Sequence, residues 1–177
     1  FFFRRELETD FLTDRKGISA NAEYRLGEKN IVGAGYRFEW VHTYDKVPDP
    51  VFPFDVRRRL APLTGSFARD TRDDTLDATR GRFTSHTVEW TPAVLGSELR
   101  YVKYFGQYFQ YVPFGQASRI PWAGETRKRT VYALGGRMGM AHGFGGQTIV
   151  PSERFFSGGG TSVRGFAENT LGPLDFG

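Results

Sequence analysis

The segment IVGAGYRFEWVHTY, from Ile31 to Tyr44, decides the fold. Every second residue is apolar or aromatic, with His42 in the same row, whereas the residues between them are rich in glycine, charge and threonine. A period of two predicts a β-strand with one apolar and one polar face. The run is longer than the 5–6 residues that are usual for a soluble strand and long enough for a tilted transmembrane strand, which needs about 9–11.

Comparable strand patterns continue on both sides of this segment. The predicted strands cover Phe1 to Thr9, Gly17 to Leu26, Ile31 to Tyr44, Leu60 to Arg72, Arg82 to Trp90, Glu98 to Pro113 and Thr130 to Phe144. Polar connections are predicted at Asp10 to Lys16, Asp45 to Arg59 and Phe114 to Arg129. No convincing amphipathic helix separates the strands. The pattern therefore indicates an all-β protein with an antiparallel, up-and-down sheet of about seven strands.

The composition agrees with a β-rich chain and leaves two architectures open. The 177 residues include 22 glycines and 17 phenylalanines, and 16% are aromatic. Mean hydropathy is −0.45, which is usual for a soluble protein but also for a transmembrane β-barrel, whose strands alternate lipid-facing and lumen-facing residues. Strand length and aromatic content favour the barrel over a soluble β-sandwich. The absence of cysteine excludes disulfides and cysteine-based metal sites.

The sequence contains no arrangement of residues that is typical of a catalytic or cofactor-binding site. The glycines from Gly158 to Gly160 lack the lysine of a phosphate-binding loop. His42, His86 and His142 have no partners at metal-ligand spacing. The formal charge of +4 is spread among interleaved acidic and basic residues, which gives no basis for nucleic-acid binding. We expect no enzyme activity, no catalytic residues, no cofactor and no metal.

The stretch ERFFSGGGTSVRGF, from Glu153 to Phe166, contains one arginine set between small and apolar residues. Gly165 allows a close backbone approach or a positive φ angle. The guanidinium of Arg164 can then form paired hydrogen bonds to a carboxylate or stack on an aromatic ring. The alternative is an ordinary arginine in a turn.

These motifs together resemble the BamA and TamA superfamily of barrel proteins, the bacterial surface antigens. One resembling motif is VRGF, made of Val163, Arg164, Gly165 and Phe166. Residues that support it in the same loop are Glu153, Arg154, Phe155, Phe156, Gly158 and Gly159. A second motif, the turn between two barrel strands, contains Asp70, Arg72, Asp73 and Gly81. The agreement extends from about Leu60 onward.

The resemblance implies a partial transmembrane β-barrel, with about seven of sixteen strands. Residues 1–144 would be central barrel strands, and residues 145–177 a long extracellular loop that folds into the lumen. The abrupt ends of the chain lead us to expect a fragment of a longer protein. The resemblance places the partners of Arg164 on strands that follow this loop.

The implied function is non-enzymatic assembly and insertion of other outer-membrane proteins through a lateral seam that templates incoming strands. The expected location is a Gram-negative outer membrane. The expected partners are its lipid and lipopolysaccharide, unfolded outer-membrane proteins and accessory assembly lipoproteins, with no nucleic acid. Two alternatives are a polypeptide transporter of the TamA or two-partner type and a soluble β-sandwich binding protein.

Overall fold

A computed structural model of the chain describes residues 1–7, 11–45, 55–118, 128–149 and 153–155. Its strands form a single antiparallel sheet. They are β1 (Phe2–Leu7), β2 (Phe11–Leu26), β3 (Asn30–Asp45), β4 (Asp55–Leu60), β5 (Leu63–Asp70), β6 (Gly81–Trp90), β7 (Tyr101–Ser118) and β8 (Lys128–Gly143). A short 3₁₀ turn, Ala93–Leu95, precedes β7. Among these residues there is no helix long and apolar enough to cross a membrane.

The strands follow one another across the sheet in chain order, β1-β2-β3-β5-β6-β7-β8, as the up-and-down prediction required. β4 and β5 both pair with β3, β4 along its second half and β5 along its first. Their pairings keep one register, because Leu60 lies opposite Glu39 and Leu63 lies opposite Tyr36. β4 and β5 are thus two parts of one long strand, interrupted at Pro62, whose ring nitrogen cannot donate to a ladder.

All three predicted connections were wrong at least in part. Residues 11–16, expected to be a polar turn, belong to β2, which pairs with β3 over its whole length. Residues 55–59, expected to be loop, form most of β4. In both places charged residues on both faces of the strand hide the alternation, while backbone pairing with β3 supplies the order that the side chains do not indicate. The third predicted connection, Phe114 to Arg129, was too long at both ends, because β7 extends to Ser118 and β8 begins at Lys128.

The sheet has two chemically distinct faces. We call the face that carries Arg15, Glu39 and Lys103 the inner face. The outer face carries many exposed apolar side chains. They include Ile18, Tyr24, Leu26, Trp40, Leu63, Phe67, Val88, Trp90, Tyr108, Val112, Tyr132, Leu134, Met138 and Met140. We call the edge that contains Asp45, Trp90 and Gly143 the upper rim, and the opposite edge, with Leu26 and Asp70, the lower rim.

The small buried core lies near the upper rim, on the inner side. Val41, Leu60, Leu99 and Tyr101 form one cluster, with Ile149 packed against it. These residues come from β3, β4, β7 and the two segments that flank β7 and β8. The core therefore joins the rim connections to the sheet and positions the segment that leads to Glu153.

Candidate functional site

Six charged side chains form a closed ring on the inner face. Positive and negative groups alternate around it, and each touches the next. In order they are Arg15, Glu39, Arg37, Glu89, Lys103 and Glu153, after which the ring returns to Arg15. We call this set the ion-pair ring. Three cations and three carboxylates make it neutral as a whole.

The contacts around the ion-pair ring are short. Arg15 Nη1 lies 3.2 Å from Glu39 Oε1, which also accepts a 2.9 Å hydrogen bond from Arg37 Nε. Arg37 Nη2 lies 3.3 Å from Glu89 Oε2. Lys103 Nζ completes this side, at 3.1 Å from Glu89 Oε1 and 2.7 Å from Glu153 Oε2. Each carboxylate is therefore shared between two cations, which offsets the cost of removing it from water.

Glu153 closes the ring from outside the strands. Its side chain is almost completely buried, and Arg15 Nη2 lies 2.8 Å from its Oε1 atom. This contact is an ion pair; Oε1 has no aligned hydrogen-bond donor among the described residues. Oε2 accepts from Lys103 Nζ and from Tyr101 Oη, the latter at 2.9 Å. A buried carboxylate held by two cations and a phenol is a fixed anchor for the segment that carries it.

The position of Glu153 shows that the sheet is strongly curved. Arg15 is on β2 and Lys103 is on β7, and three strands lie between them in the sheet. At about 4.8 Å per strand, a flat sheet would hold these backbones at least about 19 Å apart. One carboxylate touches both side chains, so the inner face is concave around Glu153. The anchor therefore ties together two parts of the wall that are distant along the sheet.

Tyr101 links two carboxylates of the ring. Its hydroxyl lies 2.9 Å from Glu89 Oε1 and 2.9 Å from Glu153 Oε2. A phenol has one proton, so it donates to one of the two at a time. Thr91 fixes the backbone of Tyr101, because Tyr101 N donates to Thr91 Oγ1 and Thr91 N donates to Tyr101 O. The buried ring of Tyr101 is thereby held directly beneath the anchor.

The residues that follow Glu153 also lie against the inner face. The ring of Phe155 is 6.2 Å from that of Phe105, centroid to centroid, in a stacked arrangement. It also covers Gly139 on β8, where an added Cβ would come within 3.1 Å of the phenyl ring. Arg154 Nε donates to the Ile149 carbonyl. Glycine at position 139 thus leaves the space in which Phe155 lies.

The segment between β8 and Glu153 is held by the connection between β6 and β7. Gln147 accepts a hydrogen bond from Arg100 N at 2.7 Å and donates to the Glu98 carbonyl. Glu98 in turn binds Arg59 on β4, and the Arg59 guanidinium and backbone N–H hold the pKa of the Glu98 carboxyl below its ordinary value. This chain of contacts connects β4, the β6–β7 connection and the segment that leads to the ion-pair ring.

The turn motif lies at the lower rim, far along the strands from the ion-pair ring. Asp70 and Arg72 form a close pair, with Arg72 Nη2 at 2.6 Å from Asp70 Oδ2. Asp73 accepts from the Thr79 hydroxyl and from the backbone N–H groups of Arg80 and Thr79, which hold the pKa of its carboxyl well below the ordinary value. The turn is therefore tied together by carboxylates that accept from its own backbone.

Gly81 ends this turn with φ +98°. A Cβ at Gly81 would collide with the Thr71 carbonyl and lie 2.8 Å from Arg72 Cα. The four residues of the turn motif thus meet in one compact connection. The structure brings them together with one another, but not with Glu153.

The sequence matches the Omp85 superfamily domain over residues 1–177. The chain belongs to the Omp85 superfamily. Its open sheet is a section of the β-barrel of that family, as the fold prediction stated. The resemblance to this superfamily of barrel proteins is thereby confirmed for the chain as a whole.

The chain is also similar to two named proteins. The chain is 32% identical over 146 residues to the outer membrane protein assembly factor BamA of Neisseria meningitidis serogroup B (strain ATCC BAA-335 / MC58), an alignment that covers 75% of the chain and 17% of the relative. It is 28% identical over 116 residues to a SAM50-like protein of Schizosaccharomyces pombe (strain 972 / ATCC 24843), covering 64% of the chain and 22% of the relative. The chain thus spans about a fifth of the length of these relatives.

The VRGF motif lies outside the described residues. This holds for Val163, Arg164, Gly165 and Phe166, and also for Phe156, Gly158 and Gly159. Of the predicted loop residues, Glu153, Arg154 and Phe155 are described, and all three contact the barrel section or the segment that precedes them.

Sequence reasoning missed the other members of the ion-pair ring. Arg37 and Glu39 were placed on the polar face of their strand, but no pairing was predicted for them. A usable signal was present, because opposite charges occupy the polar faces of strands whose other faces are aromatic. Charges on the inner face of a barrel section need partners, and these strands supply both signs.

Proposed function

We propose that this chain is a section of an outer-membrane barrel that assembles and inserts other outer-membrane proteins. The observation that carries the proposal is the combination of an Omp85 barrel wall with a loop segment anchored on its concave face through Glu153. One relative is named an outer membrane protein assembly factor, which supports the same role. The role is non-enzymatic: the protein would guide folding rather than catalyse a chemical reaction.

The proposed mechanism uses a weakened seam between the first and last strands of the complete barrel. An exposed strand edge offers unpaired N–H and C=O groups on which an incoming strand can form a ladder. The section described here would be the firm wall opposite that seam. Its seven successive strands are continuously paired, and the ion-pair ring fastens β2 to β7 across the concavity.

The loop after β8 would fold into the lumen and brace the barrel. Within this loop, Glu153 supplies an anchored carboxylate, and Phe155 lies next to it against β7 and β8. In the proposal, Arg164 extends the brace with a second charged contact, made to strands that follow the loop. Two charged anchors on one loop would fix its path and so limit the opening of the wall.

The cellular setting is part of the proposal. The relatives come from a bacterium and a yeast, and we propose a Gram-negative outer membrane with its lipid and lipopolysaccharide. The proposed clients are unfolded outer-membrane proteins, with accessory assembly lipoproteins as partners of the complete protein. A transporter of the TamA or two-partner type would differ by moving a polypeptide through the lumen instead.

The test is Arg164→Ala in the full-length protein, with Arg164→Lys as the matched control that keeps the charge but loses the planar fork. Proteoliposomes that contain each variant would receive an unfolded barrel client, and client folding would be followed by heat-modifiable gel mobility. We expect Arg164→Ala to lower client assembly or the stability of the barrel itself, and Arg164→Lys to restore part of it. An Arg164→Ala protein with full activity and unchanged mobility would contradict the brace.

A further inference from the structure

A basic cleft opens on the outer face of the sheet, just below the upper rim. Its volume is about 580 Å³. The lining includes Lys16 of β2, Trp40 of β3, and Arg57 and Arg59 of β4. Over the whole lining there are five lysine or arginine residues and two carboxylates; Arg15 is held by two carboxylates of the ion-pair ring, and the other four cations leave the cleft with an excess of positive charge. The ion-pair ring plays no part in this outer surface, apart from Arg15 at the border.

The strand register places the key residues in one row. Phe3 lies opposite Lys16, Lys16 opposite Trp40, and Trp40 opposite Arg59. Trp40 therefore stands between two cations on neighbouring strands. Lys16 forms no ion pair among the described residues, and the Arg57 side chain is 76% exposed, with Asp55 at 3.8 Å. Both leave donors available to a ligand.

This row marks the boundary of the apolar surface. Directly below it on the outer face lie Ile18 and Phe38, which are opposite one another on β2 and β3. The row above it contains the polar pair Asp14 and His42. An aromatic residue flanked by long cationic side chains at such a boundary is typical of the level of lipid headgroups, since the stems cover apolar surface and the charges reach the polar layer.

We propose that the cleft is a binding site for the phosphate of an anionic lipid headgroup, held by Lys16, Arg57 and Arg59 with Trp40 against the upper part of the acyl chains. Lysine and arginine are the usual partners of phosphate, and arginine supplies paired donors. The inference rests on the proposed function, because it requires the outer face to contact lipid. It adds a specific site where a general lipid contact was expected.

The test measures lipid binding to the full-length protein in detergent by native mass spectrometry. The probes are lipid A, phosphatidylglycerol and, as a zwitterionic control, phosphatidylcholine. The double variant Lys16→Gln/Arg59→Gln removes two cations of the row. A surface cation contributes about a five-fold gain in affinity for an anionic lipid, so we expect the Kd for the preferred anionic lipid to rise on the order of 25-fold.

The matched control is Arg69→Gln/Arg82→Gln, which removes two exposed arginines from the same face near the lower rim. We expect this control to keep the affinity within about two-fold. Stronger retention of lipid A would assign the site to lipopolysaccharide, and stronger retention of phosphatidylglycerol to a phospholipid; either supports a phosphate site. Equal losses in the two double variants, or phosphatidylcholine bound as tightly as both anionic lipids, would overturn it.

Folding is checked separately, because Arg59 also binds Glu98 and its loss could loosen the β6–β7 connection. The single variant Lys16→Gln leaves that contact intact and should weaken binding about five-fold; unchanged binding would overturn the proposal.

Insertion of each protein into phosphatidylcholine vesicles is scored by heat-modifiable mobility. A protein that inserts but shows no difference between the variants contradicts the lipid site alone, whereas failure of the unaltered protein to insert contradicts the proposed function.

Discussion

At the scale of single residues, Glu153 carries the strongest prediction. Glu153→Gln removes one of three carboxylates from the ion-pair ring and leaves Arg15 and Lys103 short of a buried partner. Breaking a buried pair from one side costs about 3–5 kcal/mol. Because Lys103 is partly exposed, we expect a loss of about 3 kcal/mol in the free energy of unfolding, measured by urea titration of the full-length protein in micelles.

The control for this prediction is Glu98→Gln, which removes a carboxylate paired with Arg59 at the surface. Exposed pairs contribute about 0–1 kcal/mol, so its effect should be small. The double variant Glu153→Gln/Lys103→Met should lose less than the sum of the single losses, because the two side chains share one contact. Equal losses for Glu153→Gln and Glu98→Gln would show that the buried ring does not anchor the loop.

The ion-pair ring also shows where residue-level prediction from sequence ends. Glu153 could be assigned to the loop because it belongs to a contiguous motif. The pairings within the ring could not be predicted, since Lys103 lies 50 residues from Glu153 in sequence and Arg15 lies 24 residues from Glu39. Such pairs depend on the register of several strands and on the curvature that brings β2 towards β7. Neither quantity is present in the local alternation of one strand.

At the scale of elements, the turn between β5 and β6 predicts a contrast between two glycines. Gly81→Ala places a Cβ against the Thr71 carbonyl at a φ of +98°, a strain of about 1–3 kcal/mol. Gly65→Ala, on β5, meets nothing within 4 Å and should be tolerated. Folding yield in vesicles, scored by heat-modifiable mobility, should fall for Gly81→Ala and stay near normal for Gly65→Ala. Similar yields would mean that the turn tolerates rearrangement.

The same turn predicts a pH dependence through Asp73. Its pKa is depressed below 3.8 by hydrogen bonds from Thr79 and Arg80, so its contribution to stability is present above pH 4 and is lost as pH falls through the lower folded-state value. We expect the unaltered protein to exceed Asp73→Asn in stability at pH 7, with the difference shrinking below pH 4. Urea titrations at pH 7, 5 and 3 measure it; a difference that is constant with pH would contradict the assignment.

The strands could be predicted from the sequence where their two faces differ in polarity. The alternation of Ile31 to Tyr44 gave β3 almost to its ends, because one side of that strand is aromatic and the other polar. The first half of β2 was missed because Asp14 and Lys16 put charge on its outer face near the upper rim. β4 was missed for the same reason, with Arg57, Arg58 and Arg59 in succession. Charged residues are compatible with a strand wherever that strand extends above the apolar surface.

At the scale of the whole molecule, the two faces of the sheet give opposite responses to the same substitution. Val88 lies on the outer face of β6, two residues further from the upper rim than Trp90 and in a cross-strand row with Gly65 and Tyr104, and its neighbour Thr87 lies on the inner face. An arginine on the lipid face at the midplane costs about 2–4 kcal/mol, whereas inner positions of a wet barrel tolerate charge. Val88→Arg should therefore destabilise the full-length protein in vesicles by about 2–4 kcal/mol, and Thr87→Arg by much less.

The measurement is urea-dependent folding into vesicles, repeated with Trp90→Arg, which lies two residues nearer the upper rim on the same face. A lipid contact predicts a cost that falls with distance from the midplane, so Trp90→Arg should destabilise less than Val88→Arg after allowance for the lost indole. A packed sandwich core would penalise Val88→Arg and Trp90→Arg alike and would do so without any membrane. If Val88→Arg and Trp90→Arg lower the free energy of unfolding equally, and do so in detergent-free buffer as well, the lipid-facing wall is contradicted. If the loss is larger for Val88→Arg and is seen only in vesicles, these strands lie in the bilayer.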